Sequence, residues 1–502
     1  MTTSALDSQK SLSLAGETDE PLRRVFVRIV RSTVYFVFAQ IGARIVGFAY
    51  ILILARWLPI NEFGYLNLVL TIIVLADTAA DLGLSRLVVR QLSQDATQAP
   101  RYLGALVPFR ILTSCLAYAA VLTLIWLTGY PTEILILASI AGAGLLFTGP
   151  TMLLEAALHS HQRFFFVSVA HIALSLVQAS TGAAILFLGG GTADIATTFA
   201  LANLIYLAIV YCGISRLNIS IRPTVDLEFW FDRLRSALPY GAIAIIIVLS
   251  MRLELLVLGW FGSAVALGHF GVAARFLEAG LLVSITFGTV LAPSFARYHM
   301  ASRAKLANFY LLAMRIALVL AIPAALAAVA LARPIMNALL GSHDVVGELL
   351  RIMLTAYPFG AIYYVNLSLM FGARRQYRTL LMTLGLALLQ FSFSYLLIPI
   401  YGAHGAAVAF GISSLLAAMI STGCILRWFL PGAPVMRALA PPLTAGLIMA
   451  AMVFQLPYVL GAWAMPLALS AYVGIVAGLL ALLPLRLEDV IGNADQPQRD
   501  GS

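Results

Sequence analysis

Along this chain, long apolar runs are cut at short intervals by brief polar or charged connections. A membrane-spanning helix needs about 20 mostly apolar residues at ~1.5 Å of rise each. Read with that ruler, the pattern predicts about fourteen spans, near 33–55, 65–85, 102–128, 133–155, 164–188, 194–215, 239–260, 265–292, 306–330, 349–371, 379–399, 404–427, 438–459 and 463–484. The expected fold class is an all-α polytopic membrane protein. Before the first span, Leu22, Val25, Phe26, Ile29 and Val30 recur at helical spacing opposite Arg23, Arg24, Arg28 and Arg31, the pattern of a helix lying in a headgroup layer. The connection 216–238, with Trp230 and Phe231 among charges, reads as a second such element.

Charge placement tests the count, because cytoplasmic connections are enriched in Arg and Lys. With the N-terminus inside, the inner segments hold about 23 of the cations, the outer ones three (Arg56, Arg333, Arg351), and the spans themselves five. A wrong helix number would scramble that alternation, so the pattern implies an even count with both termini cytoplasmic. Trp57, Trp126, Trp260 and Trp463 fall at expected outer ends and Trp428 at an inner end, as amphipathic rings at an interface do.

Composition agrees: 61% of the 502 residues are hydrophobic and 11% charged, whereas soluble domains run near one quarter charged. The net charge of +9 does not suggest nucleic acid, since the cations punctuate apolar runs without forming a patch. Cys115, Cys212 and Cys424 lie in apolar runs, are odd in number and lack metal-ligand spacing. Residues 1–20 read as a polar tail, and the first apolar run is longer than a signal-peptide core with no cleavage site after it, so it is expected to remain as an anchor. No metal site, cofactor motif, phosphate-binding loop or catalytic constellation is legible, which points to a transporter and not an enzyme.

Two pairs of segments suggest an internal repeat. "LARWLPINEFGYLNLV" (54–69) aligns with "LGWFGSAVALGHFGVA" (258–273) at an offset of 204, and "GGTADIATTFALANLI" (190–205) with "YGAHGAAVAFGISSLL" (401–416) at 211. Six spans per half returns the chain to the same side, so the halves have parallel topology with a pseudo-twofold axis along the membrane normal. The expected organisation is a cytoplasmic tail with its interfacial helix (1–32), a first six-helix lobe (33–215), a cytoplasmic linker (216–238), a second six-helix lobe (239–428), two appended helices (429–485) and a cytoplasmic tail (486–502).

Ionisable residues deep in spans are costly, at about 2.5–3.5 kcal/mol each on insertion scales, so each needs a partner, a cavity or a function. Arg44, Asp77, Arg252 and Arg275 lie near mid-depth in spans 1, 2, 7 and 8, with Glu254 and Glu278 close by, Asp81 nearer the cytoplasm, and Arg110 and Arg315 in spans 3 and 9. Arg252 and Glu254, two apart, lie about 200° apart around a helix and cannot neutralise each other, whereas Arg275 and Glu278, three apart, share a face. One reading gathers Arg44, Arg252 and Arg275 around a central cavity for a phosphate-like anion, with Asp77, Asp81, Glu254 and Glu278 as cavity acids or coupling-ion sites. The competing reading makes the charges ion pairs that fix helix register. His171, alone in span 5, reads as a hydrogen-bonded interior residue in preference to a proton carrier.

"GARIVGFAYILILARWLPINEFGYLNLVLTI" (42–72), "DLGLSRLVVRQL" (81–92), "LPYGAIAIIIVLSMRLELLVLGWFG" (238–262) and "LIPIYGAHGAAVAFGISSLL" (397–416) resemble the polysaccharide-transporter family of Wzx-type flippases, in the superfamily of multidrug extruders and lipid II flippases. The resemblance spans about 33–430. It implies a flippase of the inner membrane that carries a polyprenyl-diphosphate-linked oligosaccharide to the outer leaflet for cell-surface or exopolysaccharide synthesis. Alternating access would drive it, coupled to membrane potential, H+ or Na+, with a polymerase and export machinery as partners. It also implies a cationic cavity for the diphosphate, a role that Arg44, Arg252 and Arg275 fit by depth. A multidrug-type cation antiporter and a lipid II flippase are the alternatives.

Overall fold

The computed structural model describes residues 38–217, 219, 221–341, 344–373, 375–455, 470–474 and 477–478. Among these residues the ordered elements are helices, with no strand. Among the described residues, ten helices are long and apolar enough to cross a membrane, eleven if a pair bent by 43° counts as one span. The first six are α1 (Phe38–Trp57), α2 (Ile60–Asp81), α4 (Ala99–Leu127), the joined pair α5 (Thr132–Gly142) and α6 (Leu145–Ser160), α7 (Phe164–Phe187) and α8 (Thr192–Ser215), with the short α3 (Leu84–Gln94) between α2 and α4. Then come α9 (Leu227–Phe261), α10 (Ala264–Ala301), α11 (Arg303–Leu340), the bent pair α12 (Asp344–Thr355) and α13 (Tyr357–Gly372), α14 (Gln376–Trp428) and α15 (Val435–Gln455).

Several helices overrun their apolar runs. A helix of 38 residues, such as α10 or α11, is about 57 Å long against a hydrocarbon core of about 30 Å. The surplus turns carry charge, as at Arg297 in α10 and Arg303 and Lys305 in α11. For the same reason residues 227–238, expected as a separate interfacial element, are the opening turns of α9.

The 53 residues of α14 contain both runs predicted at 379–399 and 404–427. They are two helices joined at Gly402, whose φ of 56° and ψ of −130° lie where only glycine sits without strain. Of the last predicted run only residues 470–474 and 477–478 are described, and both tails, with the amphipathic stretch at 22–30, lie outside the described residues.

The chain groups into two compact units: one holds Ile72–Gly241 with the chain up to Ile53, the other Leu54–Thr71 with the chain from Ala242 onward. The first unit packs around Leu84, Leu87, Val88 and Leu92 of α3, Leu103 and Leu106 of α4, Leu153, Leu154 and Leu158 of α6, and Val210 of α8. Helix α3 presents one apolar face to this core and keeps Arg86 and Arg90 on the other. Asp95 caps the turn into α4, accepting from Thr97 Oγ1 (2.6 Å), Thr97 N (3.1 Å) and Gln98 Nε2 (2.8 Å), bonds that hold its carboxyl below the usual range. The start of α9 seats on α4, where Trp230 Nε1 donates to the Ala105 carbonyl at 2.7 Å and Phe229 meets Tyr102 edge-on at 5.2 Å.

In the second unit, Tyr310 and Met314 of α11 pack with Phe295 of α10, Val365 and Leu369 of α13 and Ile425 of α14. Helix α15 lays Ala445 and Met449 on Leu318 and Ile322 of α11. The stretch 54–71 joins this unit through Arg56, which donates to the carbonyl of Leu339 at 2.9 Å, and through Gly64 and Gly268, where an added Cβ would overlap the facing backbone. Elsewhere large apolar side chains such as Phe187, Val290, Leu320 and Leu447 point outward, as in helices solvated by lipid tails. Trp57, Trp126 and Trp260 stand exposed at the C-terminal ends of α1, α4 and α9.

Candidate functional site

The two units each hold a network of charges within their spans. In the second unit, Arg252 of α9 donates to Oε1 of Glu278 on α10, and Arg275, one turn before Glu278, donates to Oε2 at 3.2 Å. The other arm of Arg275 reaches Oδ1 of Asn67 on α2 at 3.0 Å. Two guanidiniums thus share one carboxylate, and all three side chains keep partial exposure: 18% for Arg252, 17% for Arg275 and 30% for Glu278. Cations in the bilayer core are bound most tightly by charge-assisted, bidentate partners, and here a single acid cannot saturate both.

Glu254 points away from that network. It is buried and accepts from Nε2 of Gln390 on α14 at 2.8 Å, while the same nitrogen donates to the Ser250 carbonyl at 2.7 Å. Ser394, one turn beyond Gln390, is buried with no partner for its hydroxyl among the described residues. The 200° separation of Arg252 and Glu254 is therefore realised as two environments: an acid shared with another arginine on one side, and an amide on the other.

In the first unit the stoichiometry is different. Arg110 of α4 is fully buried, donates to Asp77 Oδ1 at 2.7 Å and to the Asp77 carbonyl at 3.2 Å, and places Nε 3.7 Å from Asp81 Oδ1. That last distance is an ion pair and too long for a hydrogen bond. Asp81 is held instead by Ser85 Oγ at 2.5 Å and, weakly, Ser85 N at 3.3 Å. Arg44 is exposed on α1.

Of the residues singled out from sequence, the structure brings Arg252, Arg275 and Glu278 together, sets Glu254 on an amide, and joins Asp77 and Asp81 through Arg110. Sequence reasoning did not find Asn67 or Gln390, polar residues whose only signal is their place in apolar runs. It also missed the surroundings of His171. Glu155 of α6 receives hydrogen bonds from Tyr206 of α8, from His171 of α7 (Nε2 to Oε1, 3.2 Å) and from His159 (Nε2 to Oε1, 3.1 Å). The available clue was the i, i+4 spacing of Glu155 and His159 at the end of an apolar run. His171 is hydrogen-bonded, as expected, but it is part of a titratable cluster.

The fold and these networks define a multi-pass membrane protein with unequally paired charges inside its spans. Residues 53–344, more than half of the chain, match the family described as polysaccharide biosynthesis protein, and the chain belongs to that family. No curated protein matches it. Among solved structures it is similar to the lipid II flippase MurJ in an inward closed conformation, with a TM-score of 0.66 and 15% identity over 90% of this chain and 98% of that one. An inward-facing MATE family multidrug resistance transporter of the MOP superfamily gives a TM-score of 0.64 and 17% identity, over 76% of this chain and 92% of that one. A MOP superfamily transporter from Pyrococcus furiosus, described as having a binding pocket of reverse polarity, gives 0.54 and 16%, over 78% and 93%. The resemblance read from the sequence is borne out at the level of family and fold.

Proposed function

We propose that this protein is a flippase that carries a polyprenyl-diphosphate-linked oligosaccharide from the inner to the outer leaflet of the inner membrane, by alternating access of two six-helix lobes, with both termini in the cytoplasm. The observation that carries the reading is the shared carboxylate of Glu278. With two guanidiniums on one acid, the Arg252–Arg275 network holds a surplus positive charge inside an apolar span, which a diphosphate would neutralise with the geometry arginine favours. Arg44, exposed on α1 in the first unit, remains a separate candidate for contact with the diphosphate. Moving about two negative charges outward across an inside-negative membrane releases about 2.3 kcal/mol per charge per 100 mV if they cross uncompensated.

Glu254 is the candidate for an H+ or Na+ that adds to that driving force, because among the described residues the side chain that bonds it is a neutral amide. A polymerase and export machinery would take the cargo at the outer face. A multidrug-type cation antiporter would share the fold, but a surplus of arginine disfavours a cationic cargo. A lipid II flippase would share the diphosphate chemistry and differs only in the sugar.

The test is deletion of the gene in its host, followed by chemical identification of the lipid-linked saccharide that builds up on the inner leaflet. Accumulation of a repeat-unit intermediate with intact lipid II turnover supports the proposal. Accumulation of lipid II would move the cargo to the cell-wall precursor, and accumulation of neither would overturn the reading.

A further inference from the structure

Glu155 lies in the last turn and a half of α6, and its carboxylate takes three donors from three helices. Tyr206 donates to Oε2, while Nε2 of His171 and Nε2 of His159 both lie on Oε1. Tyr206 Oη is also 3.3 Å from His171 Nε2, so the phenol and the imidazole meet at the carboxylate. Arg110 Nη2 comes within 3.8 Å of Met152 Sδ on α6, and that nitrogen is already committed to Asp77.

We infer that Glu155, His159 and His171, oriented by Tyr206, form a proton-binding site in the first unit. Each imidazole that donates through Nε2 to a carboxylate has its lone pair on Nδ1. With both imidazoles neutral the cluster carries a negative charge among apolar helices. One proton added at Nδ1 of His171 turns it into a carboxylate–imidazolium pair with no net charge, the form that low-dielectric surroundings tolerate best. The proton bonds to a ring nitrogen that already has an electron pair for it, so no other species is consumed.

The donor set selects a proton over a metal ion. Both oxygens of Glu155 face N–H or O–H hydrogens in place of open lone pairs, and imidazole nitrogens are poor ligands for hard alkali or alkaline-earth cations. Among the described residues no group of three or more His, Cys, Asp or Glu side chains has metal-holding geometry. The cluster is not sealed: His159 and His171 are each 25% exposed and Glu155 is 18% exposed. His159 sits in the final turn of α6, where a helix C-terminus favours a cation, and offers a relay from the helix end to Glu155.

The neighbouring charges do not replace this site. Helix α6 packs against α3, α4, α7 and α8. On α4 the charged group that reaches α6 is Arg110, bound to Asp77. On α3, Arg90 donates to Tyr240 Oη at 3.0 Å. Just past the end of α6, His161 Nδ1 is engaged with the Ala157 carbonyl at 2.8 Å. Among the described residues, the side chains hydrogen-bonded to Glu155 are His159, His171 and Tyr206.

The role of the site rests on the proposed flippase: a proton exchanged here would link cargo export to the proton gradient. Its existence does not, because proton binding can be counted without cargo. Purified full-length protein in unbuffered detergent, stepped from about pH 8 to about pH 5, spans the range in which histidine charges. Glu155→Gln and His171→Gln should each take up about one proton fewer per molecule than the wild type. Tyr206→Phe removes a hydrogen bond but no group titrating in that range, and should keep the wild-type count.

Equal uptake in wild type and His171→Gln overturns the site, and that variant alone decides if Glu155→Gln does not accumulate. Loss of the proton in Tyr206→Phe as well would overturn it in favour of general loosening. The second arm measures saccharide-lipid transport with and without an imposed pH gradient. A response in the wild type that Glu155→Gln lacks supports coupling, and equal responses overturn the coupling role. Absence of saccharide-lipid transport under every condition, with the proton count intact, would strike the flippase reading and leave the proton site standing.

Discussion

In the first unit one guanidinium serves two carboxylates, Asp77 and Asp81, whereas in the second two guanidiniums, Arg252 and Arg275, share Glu278. With every carboxylate ionised, the first trio carries a surplus negative charge and the second a surplus positive one. Their exposures differ in the same sense: Arg110 is 0% exposed, while Arg252 and Arg275 keep 18% and 17%. A sealed cation surrounded by acids is a clamp on helices α2 and α4. A cation that is under-neutralised and still open is available to a ligand. The difference teaches that depth in the membrane does not by itself mark a binding arginine; the ratio of partners and the remaining exposure do.

The largest effect expected from this contrast is at the clamp. Arg110→Ala strands Asp77 and Asp81 without a cation, at a cost of about 3–5 kcal/mol for breaking a buried pair. Folded protein recovered from membranes, quantified by size-exclusion chromatography of a fluorescent fusion, should fall to a small fraction of wild type. Adding Asp77→Asn and Asp81→Asn to the same chain should restore most of it. Normal abundance of Arg110→Ala would remove the distinction between clamp and site.

The next effect separates binding from stability in the second unit. Arg252→Ala leaves Glu278 with Arg275 at 3.2 Å, so abundance should stay near wild type. Transport per folded molecule should drop at least about tenfold, equivalent to ~1.4 kcal/mol. Arg252→Lys keeps the charge without the planar fork and should retain part of the activity. If instead Arg252→Ala fails to accumulate and Glu278→Gln rescues it, the network is a register device like its counterpart.

Much of this was legible in the apolar pattern. The runs near 164–188 and 194–215 match α7 and α8 to within two residues, because hydropathy alone decides where lipid-solvated helices start and stop. Helix ends were less legible where charged turns prolong the helix into the headgroups, as in α10, α11 and the first turns of α9. The break between the two spans of α14 falls at Gly402, a residue whose φ of 56° and ψ of −130° are local to one glycine. Among the site residues, the shared face of Arg275 and Glu278 and the divergence of Arg252 from Glu254 followed from helical geometry. The partners did not: Arg110 with Asp77, Glu254 with Gln390 and His171 with Glu155 join residues 33, 136 and 16 positions apart, and helical periodicity says nothing about which helices become neighbours.

A smaller effect is expected at Glu254. Its hydrogen-bond partner is an amide, so Glu254→Gln preserves shape and a bond to Gln390, and abundance should change by no more than about 1 kcal/mol in stability. Transport should lose its dependence on whichever gradient, H+ or Na+, Glu254 serves. Unchanged ion dependence in a folded variant would remove Glu254 from the coupling scheme.

The smallest effect tests how Arg275 is held. Asn67 sits on α2, donates to the Phe63 carbonyl at 3.2 Å, and presents Oδ1 to Arg275 at 3.0 Å. Its neutral oxygen orients the guanidinium without cancelling its charge, which is what a site meant for an incoming anion requires. Interhelical hydrogen bonds in membranes are worth about 0.6 kcal/mol on average, so Asn67→Ala should barely move thermal stability. If orientation matters, apparent affinity for the saccharide-lipid should weaken by a few fold while maximal transport is kept. Asn67→Asp supplies the missing second carboxylate, brings the network to charge balance and should depress transport more than Asn67→Ala does. Equal transport in Asn67→Ala and Asn67→Asp would mean that the surplus charge in the second unit is not what the cargo reads.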